Sequence, residues 1–208
     1  MQVKKFVNSI FTSNSYLIYF EECDSVFVVD PGDSNPIIEW LTANNKFIKG
    51  ILITHSHFDH IYGINDLYEL YPNIEIYASK YAKEGMLSAK LNRSYYTENS
   101  FIVNYKNINI VEEGDKILLF DDIFANVIYT PGHNNDCMSY EIIQNLFTGD
   151  ALIPGIKVYT KSKFGDKTKA KESIIRIKNQ FKNKTLICPG HGDIISLGDI
   201  AVSSLYYA

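Results

Sequence analysis

Short apolar runs alternate with polar turns along the chain, and their periods predict both strands and helices. Residues 16–20 and 26–30 are β-rich runs separated by the polar residues 21–24, a pattern typical of a hairpin. Pro36 then stands near the first position of a helical pattern that leads into the apolar run 51–53. This part of the chain therefore predicts a hairpin followed by a β-α-β unit.

A second alternation of helix and strand follows the first. Apolar residues recur at helical spacing from Ile61 to Tyr71, and a strand is predicted at residues 74–78. A further helix is predicted at residues 80–90, and the poorly patterned residues 92–100 predict an excursion along the surface.

From residue 108 onward strands dominate, which predicts a second sheet. The predicted strands are residues 108–111, 117–120, 123–129, 138–143 and 146–147. A helical stripe at residues 169–181 precedes a last strand at 185–188. No linker or low-complexity segment divides the chain, so we expect one α/β domain over residues 1–208. Two halves that each begin with strands and end with helix and strand predict an αββα sandwich, with helices on the outer faces of two packed mixed sheets.

The composition narrows the class of protein. The chain has 208 residues, of which 46% are hydrophobic, and a net charge of −4, so we expect a globular protein without a general nucleic-acid surface. No segment approaches the roughly 20 apolar residues of a membrane span, and the N-terminal run is too broken for a signal peptide. Three widely spaced cysteines, an odd number, predict reduced thiols. A cytoplasmic protein is therefore expected, with no membrane partner.

Every histidine of the chain follows a short apolar run. Three lie in the sequence THSHFDH at residues 54–60, and His133 and His191 occupy two matching strand and P-G-H sequences. Asp150 likewise follows a strand, in the sequence FTGD. Because neighbouring strands can end at one edge of a sheet, these side chains are expected to converge, as a metal site requires.

The THSHFDH sequence carries the most specific signal. The i, i+2 spacing of His55 and His57 puts both imidazoles on one side of an extended segment, and Asp59 and His60 can turn back at the start of the next helix toward a second ion. Burying four such polar groups together without a metal or dense hydrogen bonding costs roughly 1–3 kcal/mol each. A lone histidine or P-G-H sequence would indicate only a core residue or a turn, and Cys188, inside a predicted strand, is interpreted as a core residue.

The sequences THSHFDH, TPGH, FTGD and CPGH occur in this order across residues 54–191. In this they resemble the metallo-β-lactamase superfamily, with a motif set close to that of glyoxalase II, and the resemblance implies the αββα sandwich. It also implies seven metal ligands: His55, His57 and His133 for one ion, Asp59, His60 and His191 for a second, and Asp150 as the bridge. The sequence VVDPG at residues 28–32 resembles an early strand-end aspartate of the family, so Asp30 either supports the ligands or caps the following turn.

Two cations with a bridging water predict hydrolysis without a protein nucleophile. A hydroxide held between the ions would attack a small ester, thioester, lactone or phosphodiester, and Asp59 is the candidate catalytic residue that orients it and takes up its proton. The nitrogen and oxygen ligands suit zinc, iron or manganese, and two Zn²⁺ ions are the first expectation. Two alternatives stay open: a persulfide dioxygenase with a single iron, and a metal-stabilised binding protein without turnover. Open ligand positions for water favour catalysis over a closed structural site.

The resemblance also bears on the substrate, which is expected to be a small molecule. True β-lactamases of the superfamily commonly carry Cys or Ser where this chain has Asp150, which argues against a β-lactam. Quorum-quenching lactonases have Tyr at the position of Ile153, which argues against a lactone more weakly. The chain ends soon after His191, so we expect it to lack the C-terminal glutathione-binding extension of glyoxalase II.

A lysine-rich stretch bears on the charge of the substrate. Residues 151–173 contain six lysines in a chain that is acidic overall. A Pro-Gly pair breaks the chain just after the bridging aspartate, so this stretch is expected to leave directly from the rim of the metal site. We therefore expect an anionic substrate, with Lys157 and Lys161 nearest the metals and Tyr159 as a wall of the pocket. An ordinary solvated surface is the alternative.

Overall fold

The computed structural model describes residues 1–105 and 107–200 of the chain. These residues form two compact units, Met1–Ile110 and a second that begins at Val111. Each unit carries one six-stranded sheet with both parallel and antiparallel pairs. No described helix is long and apolar enough to cross a bilayer.

The sheet of the first unit follows chain order and changes from antiparallel to parallel pairing at its third strand. Its strands are β1 (Gln2–Val7), β2 (Asn14–Tyr19), β3 (Ser25–Val29), β4 (Phe47–Leu52), β5 (Glu75–Ala78) and β6 (Ile108–Ile110). Parallel neighbours need crossover connections, which α1 (Ser34–Ala43) and α2 (Ile64–Leu70) supply, and α3 (Lys80–Met86) precedes β6. The predicted hairpin and β-α-β unit are confirmed.

The sheet of the second unit is an antiparallel meander that ends in one parallel crossover. Its strands are β7 (Lys116–Phe120), β8 (Ile123–Tyr129), β9 (Met138–Ile142), β10 (Asn145–Gly149), β11 (Leu186–Pro189) and β12 (Ile195–Ser196). The helix α4 (Lys167–Gln180) connects the parallel pair β10 and β11, and β12 adds an antiparallel edge. Asp166 caps α4, because its carboxylate accepts hydrogen bonds from the backbone N–H groups of Thr168 and Lys169.

Each unit has its own apolar core. In the first unit, Ile37 and Leu41 are buried in one cluster with Ile51 of β4, because their i, i+4 spacing places them on one face of α1. In the second unit, Ile174 and Ile177 of α4 belong to a buried cluster with apolar residues of β10 and β11. The strands that precede the histidines and aspartates of interest are thus fixed by core packing.

Four features differ from the sequence prediction. The pattern does not predict β1, whose residues are all at least partly exposed, or β12, which has only two residues. The expectation that residue 108 opens the second sheet is wrong, because β6 pairs in parallel with β5 in the first. A three-residue run carries no signal about which sheet it joins. The expected excursion at residues 92–100 is wrong in part, because Asn92 and Ser94 are fully buried.

The expectation of one domain over residues 1–208 stays a prediction. Residues 201–208 lie outside the described residues.

Candidate metal centre

Four of the predicted ligands lie in the loop that follows β4 in the first unit. His55 and His57 are buried, and a short 3-10 turn, Phe58–His60, carries Asp59 and His60. The imidazole rings pack closely, with centroids 4.6 Å apart for His55 and His57 and 4.3 Å apart for His55 and His60. The THSHFDH sequence therefore gathers its four candidate ligands into one buried cluster.

Asp30, at the end of β3, contacts this cluster from the neighbouring strand. Its carboxylate accepts hydrogen bonds from the backbone N–H of Thr54 at 2.7 Å and from the Thr54 hydroxyl, and it lies 3.3 Å from Nδ1 of His60. One ligand atom each from Asp30, His55 and His60 lie within 4.8 Å of one another. Burial raises the pKa of the Asp30 carboxyl above its ordinary value, and the contacts with His60 and Thr54 oppose that shift.

The turn after Asp30 is held by the hairpin of β1 and β2. The Ser15 hydroxyl accepts a hydrogen bond from the N–H of Gly32 at 2.8 Å and donates one to the carbonyl of Asp30 at 2.7 Å. Ser13 of the same hairpin donates to the carbonyl of Asp59 at 2.7 Å, so it also fixes the histidine loop. Of the two interpretations of Asp30, the contacts of its carboxylate favour support of the ligands over capping of the turn.

The other three predicted ligands come together in the second unit. Asp150 follows β10 directly, His133 follows β8, and His191 follows β11. One carboxylate oxygen of Asp150 lies 3.5 Å from Nε2 of His133, and the other lies 3.6 Å from Nε2 of His191. His133 and Asp150 are buried and His191 is half-buried. Asp150 therefore faces a different imidazole with each of its carboxylate oxygens.

The loop between Asp150 and α4 fixes the ring of His133. The Nδ1–H of His133 donates a hydrogen bond to the backbone carbonyl of Tyr159 at 2.9 Å. The N–H of Asp166, at the start of α4, donates to the carbonyl of Gly132 at 2.8 Å. The main chain of this loop therefore lies against the TPGH sequence, while the Lys157 side chain is exposed.

The helix α4 approaches the TPGH sequence closely enough to require its glycine. Gly132 has a φ of +138°, and a Cβ there would stand 2.3 Å from backbone atoms of Ala170. The hydroxyl of Ser173 donates to the carbonyl of Pro131 at 2.7 Å. The turn that carries His133 is thus pressed onto the helix.

Three histidines have an oxygen atom close to Nδ1. The partner atoms are the hydroxyl of Thr54 for His55 at 3.1 Å, the carboxylate of Asp30 for His60 at 3.3 Å, and the Tyr159 carbonyl for His133 at 2.9 Å. A metal-binding histidine commonly contacts an oxygen through one ring nitrogen, which fixes the ring and turns the other nitrogen to the ion. Buried imidazoles and carboxylates in this arrangement fit zinc, iron or manganese.

An open cavity of about 840 Å³ adjoins the histidine loop in the first unit. Phe58 of that loop lines it together with Phe11, Phe101, Asp66 and Glu98. Phe11 is 69% exposed, and its ring meets Phe58 edge-on with centroids 5.5 Å apart. The cavity is large enough for part of a small molecule, and Phe58, which lines it, stands between the candidate ligands His57 and Asp59 in the sequence.

Sequence reasoning missed three of the groups that support the candidate ligands. Thr54 stands inside the THSHFDH sequence, so its position was a signal, but a hydroxyl next to a histidine suggests no specific role. The hydroxyl of Ser13 and the carbonyl of Tyr159 reach the ligands from other parts of the chain, which no local pattern predicts. Cys188 is buried in β11, as its interpretation as a core residue requires.

Comparisons with known proteins identify the family of the chain. The sequence model of the family described as the metallo-beta-lactamase superfamily matches residues 9–191. The hydroxyacylglutathione hydrolase of Vibrio campbellii (strain ATCC BAA-1116) is 37% identical over 125 residues, which are 60% of this chain and 41% of that protein. The hydroxyacylglutathione hydrolase of Francisella tularensis subsp. novicida (strain U112) is 32% identical over 180 residues, which are 85% of this chain and 62% of that protein. The chain therefore spans less than two thirds of the length of these curated relatives.

Solved structures show the same similarity in three dimensions. The crystal structure of BLEG-1 B3 metallo-beta-lactamase matches with a TM-score of 0.87 and 25% sequence identity, over 95% of each chain. Together with the family match, this similarity confirms the fold class that the motifs imply.

Proposed function

The chain belongs to the metallo-beta-lactamase superfamily, and from this premise we propose that it is a metal-dependent hydrolase of a small thioester. The observation that carries the proposal is the position of Asp150, whose two oxygens lie 3.5 and 3.6 Å from two different imidazoles. The choice of a thioester over an ester, lactone or phosphodiester is supported by the similarity to proteins named hydroxyacylglutathione hydrolase.

The proposed centre uses the seven residues that the sequence resemblance implies. His55, His57 and His133 would hold one ion, Asp59, His60 and His191 a second, and Asp150 would contact both. Asp30 and Thr54 would orient the imidazoles from behind, as partners of ligating histidines generally do. We take two Zn²⁺ ions as the first choice, and iron or manganese would suit the same nitrogen and oxygen donors.

The proposed chemistry gives the protein groups defined tasks. Two divalent cations bound there would lower the pKa of a water molecule toward neutrality and polarise the scissile carbonyl. Asp59 would orient the attacking water and accept its proton, because its carboxylate is buried and lies 3.3 Å from the imidazole of His60, another candidate ligand. The contacts of His133 with Tyr159 and of His60 with Asp30 would keep these rings in place during turnover.

The substrate is proposed to be anionic, and the protein to act in the cytoplasm. Lys157 and Lys161 are exposed on the loop whose Tyr159 carbonyl contacts His133, so they would attract a carboxylate or phosphate toward the centre. None of the three cysteines, all of which lie in the described part of the chain, forms a disulfide bond, which agrees with a reducing compartment.

The test is metal analysis and a substrate panel on protein purified without added metal. We expect close to two transition-metal ions per chain, and a catalytic efficiency for a hydroxyacyl thioester that exceeds those for an ester, a lactone, a phosphodiester and a β-lactam by at least roughly tenfold. A single iron per chain, with oxygen consumption on a persulfide, would replace the proposal by the dioxygenase alternative. Metal binding without turnover of any of these compounds would leave a binding protein.

The role of the two lysines in the loop between Asp150 and α4 is tested separately, with Lys157→Ala and Lys161→Ala. Catalytic efficiency toward an anionic thioester should fall and lose its dependence on salt, while a neutral thioester is unaffected. The exposed Lys182→Ala serves as the control for net charge. Equal effects on both substrates would make this loop ordinary solvated surface.

A further inference from the structure

Arg93 adopts a backbone conformation that an arginine rarely occupies. Its φ is +71° and its ψ is 1°, in the left-handed region. This region costs a residue with a Cβ roughly 1–2 kcal/mol, and glycine or asparagine is the usual choice there. An arginine at this position is therefore kept at a cost to stability, which directs attention to its side chain.

Two fully buried polar neighbours hold this conformation in place. Asn92 and Ser94 are both 0% exposed. The side-chain oxygen of Asn92 accepts from the N–H of Ser94 at 2.8 Å, and the Asn92 amide and Ser94 hydroxyl both donate to the carbonyl of Phe101, at 3.0 and 2.9 Å. The backbone of Arg93 is thus set by the protein itself, before any ligand binds.

The same segment is joined directly to the histidine loop. The N–H of Phe58 donates to the carbonyl of Asn92 at 2.9 Å. Phe58 stands between the candidate ligands His57 and Asp59, and the Asn92 carbonyl belongs to the peptide group that precedes Arg93. The backbone of Arg93 is therefore joined, through one peptide group and one hydrogen bond, to the residue between two candidate ligands.

The charge of Arg93 is available for a ligand. Its side chain is half-buried, and its guanidinium makes no hydrogen bond or ion pair with any residue in 1–105 or 107–200. A guanidinium stays charged at all physiological pH values and offers five N–H donors in a planar fork that fits a carboxylate or phosphate. Hydrogen bonds from such a fork to an oxyanion are charge-assisted and stronger than those between neutral groups.

From these observations we infer that Arg93 is a specificity-determining residue, which binds an anionic group on the part of the substrate that is not hydrolysed. The inference rests on the proposed function, because it assigns the thiol half of the thioester to Arg93. The shared chemistry is an oxyanion, which a peptide-like thiol supplies as carboxylate and a nucleotide-like thiol supplies as phosphate.

The test uses Arg93→Asn, because asparagine tolerates the left-handed backbone and removes only the charge and the fork. The same acyl group is offered on glutathione, on coenzyme A and on neutral N-acetylcysteamine. We expect KM for the thioester whose oxyanion Arg93 binds to rise roughly tenfold or more, with kcat little changed. KM for the neutral thioester and the melting temperature of the protein should stay unchanged. Arg93→Lys should restore part of the affinity, because it returns the charge without the fork.

Lys90→Asn is the matched control, since Lys90 is an exposed cation on the same segment. Lys90→Asn should not change KM for any one of the three thioesters more than for the others. If Arg93→Asn raised KM equally for the charged and the neutral thioesters, the role of Arg93 would be structural and the inference would be overturned. An unchanged KM for all three thioesters would also overturn it.

Equilibrium binding separates this inference from the proposed function. S-methylglutathione and S-methyl coenzyme A cannot be hydrolysed as thioesters, so calorimetry reports recognition alone. If the wild type binds these compounds but hydrolyses no thioester, and Arg93→Asn weakens the binding, the proposed function is wrong and the inference stands. Wild-type protein that binds neither compound would overturn the inference, and loss with only one of them identifies carboxylate or phosphate as the group bound.

Discussion

Asp150 is the residue at which the proposed assignment of ligands can be tested most directly. Because its two oxygens face His133 and His191, Asp150→Ala should lower the occupancy of both ions, whereas His191→Ala should mainly empty one. Metal analysis of the purified variants measures this, with the exposed Asp122→Ala as the control. Equal and negligible metal loss in Asp150→Ala and His191→Ala would contradict the assignment.

Thr54 tests whether the contacts behind the histidines matter for metal binding. Thr54→Val keeps the shape of the side chain and removes the hydroxyl that contacts Asp30 and His55. We expect metal affinity to fall by roughly 10–100-fold, as for other partners of ligating histidines. Competition with a chelator measures this, and Thr42→Val, on an exposed face of α1, should have no effect. An unchanged affinity would show that the Asp30 carboxylate alone is sufficient.

At the scale of single residues, the sequence predicted the candidate metal ligands better than the groups that contact those ligands. His55, His57, Asp59 and His60 were nominated because imidazole and carboxylate groups are chemically distinctive, and their spacing fixes which side of the chain they occupy. The Tyr159 carbonyl could not be nominated, because every residue has a carbonyl. The assignment of the seven ligands to two ions stays a prediction.

Gly132 shows how a secondary-structure element restricts the chain beside a candidate ligand. Gly132→Ala would place a Cβ against the backbone of Ala170 on α4, at a φ of +138°. The matched control is Gly155→Ala, where φ is +75° and the added Cβ meets open space. We expect about 1 kcal/mol of destabilisation from the positive φ alone in Gly155→Ala, and roughly 1–3 kcal/mol more from the collision in Gly132→Ala. Urea unfolding measures both changes in stability. Equal losses of stability would show that α4 moves to accommodate the added Cβ.

The ion pair between Glu113 and Arg176 joins the turn before β7 to α4. The Arg176 guanidinium lowers the pKa of Glu113, and the backbone N–H of Tyr129 adds a hydrogen bond at 2.6 Å. A lowered carboxyl pKa stabilises the fold above the ordinary value of 4.5, and the benefit is lost as pH falls through the lowered pKa. Both side chains are more than a third exposed, so Glu113→Gln should cost only about 0.5 kcal/mol at neutral pH.

Urea unfolding as a function of pH checks this expectation. The difference between Glu113→Gln and the wild type should shrink as the pH falls below 4.5. A difference that persists in acid would mean that the contact acts through packing and not through charge. The exposed Glu112→Gln is the control.

Elements with a strong period were predicted, and elements defined only by pairing were not. The helix α1 follows from the apolar spacing of Ile37 and Leu41 behind Pro36, and its crossover direction follows from the strands on either side. The strand β1 carries no alternation of buried and exposed residues, since it is partly exposed throughout. The place of β6 depends on its hydrogen bonds with β5, which a short run of residues cannot encode.

For the whole molecule, removal of metal should lower stability measurably. A ligand that binds only the folded state stabilises it by about 4 kcal/mol at a thousand times its Kd, so a chelator should lower the melting temperature and added Zn²⁺ should restore it. His55→Ala should show a much smaller response to the chelator. An identical melting temperature with and without metal, in a sample shown to bind it, would contradict the expectation.

The family of the whole chain could be recognised from four short sequences because their order reflects the topology. THSHFDH and TPGH follow β4 and β8, and FTGD and CPGH include the last residues of β10 and β11. The match over residues 9–191 confirms the family that this order implied. Composition alone did not indicate the family, since a net charge of −4 fits many classes of protein. The substrate depends on side chains around the site, such as Lys157 and Arg93, whose charge the sequence shows but whose ligand it does not.

The hydrogen bond from His133 to the Tyr159 carbonyl has a consequence for which substitutions the loop between Asp150 and α4 can accept. Because the main chain of the loop makes the contact, the exposed side chains of Ile156, Lys157 and Tyr159 can be substituted without disturbing the imidazole. Leu152 and Val158 are instead buried in the core of this unit. A change in loop length would instead move the carbonyl and release the ring. Libraries intended to evolve a new substrate preference should therefore randomise the exposed positions 156, 157 and 159 and conserve the number of residues between Asp150 and Tyr159.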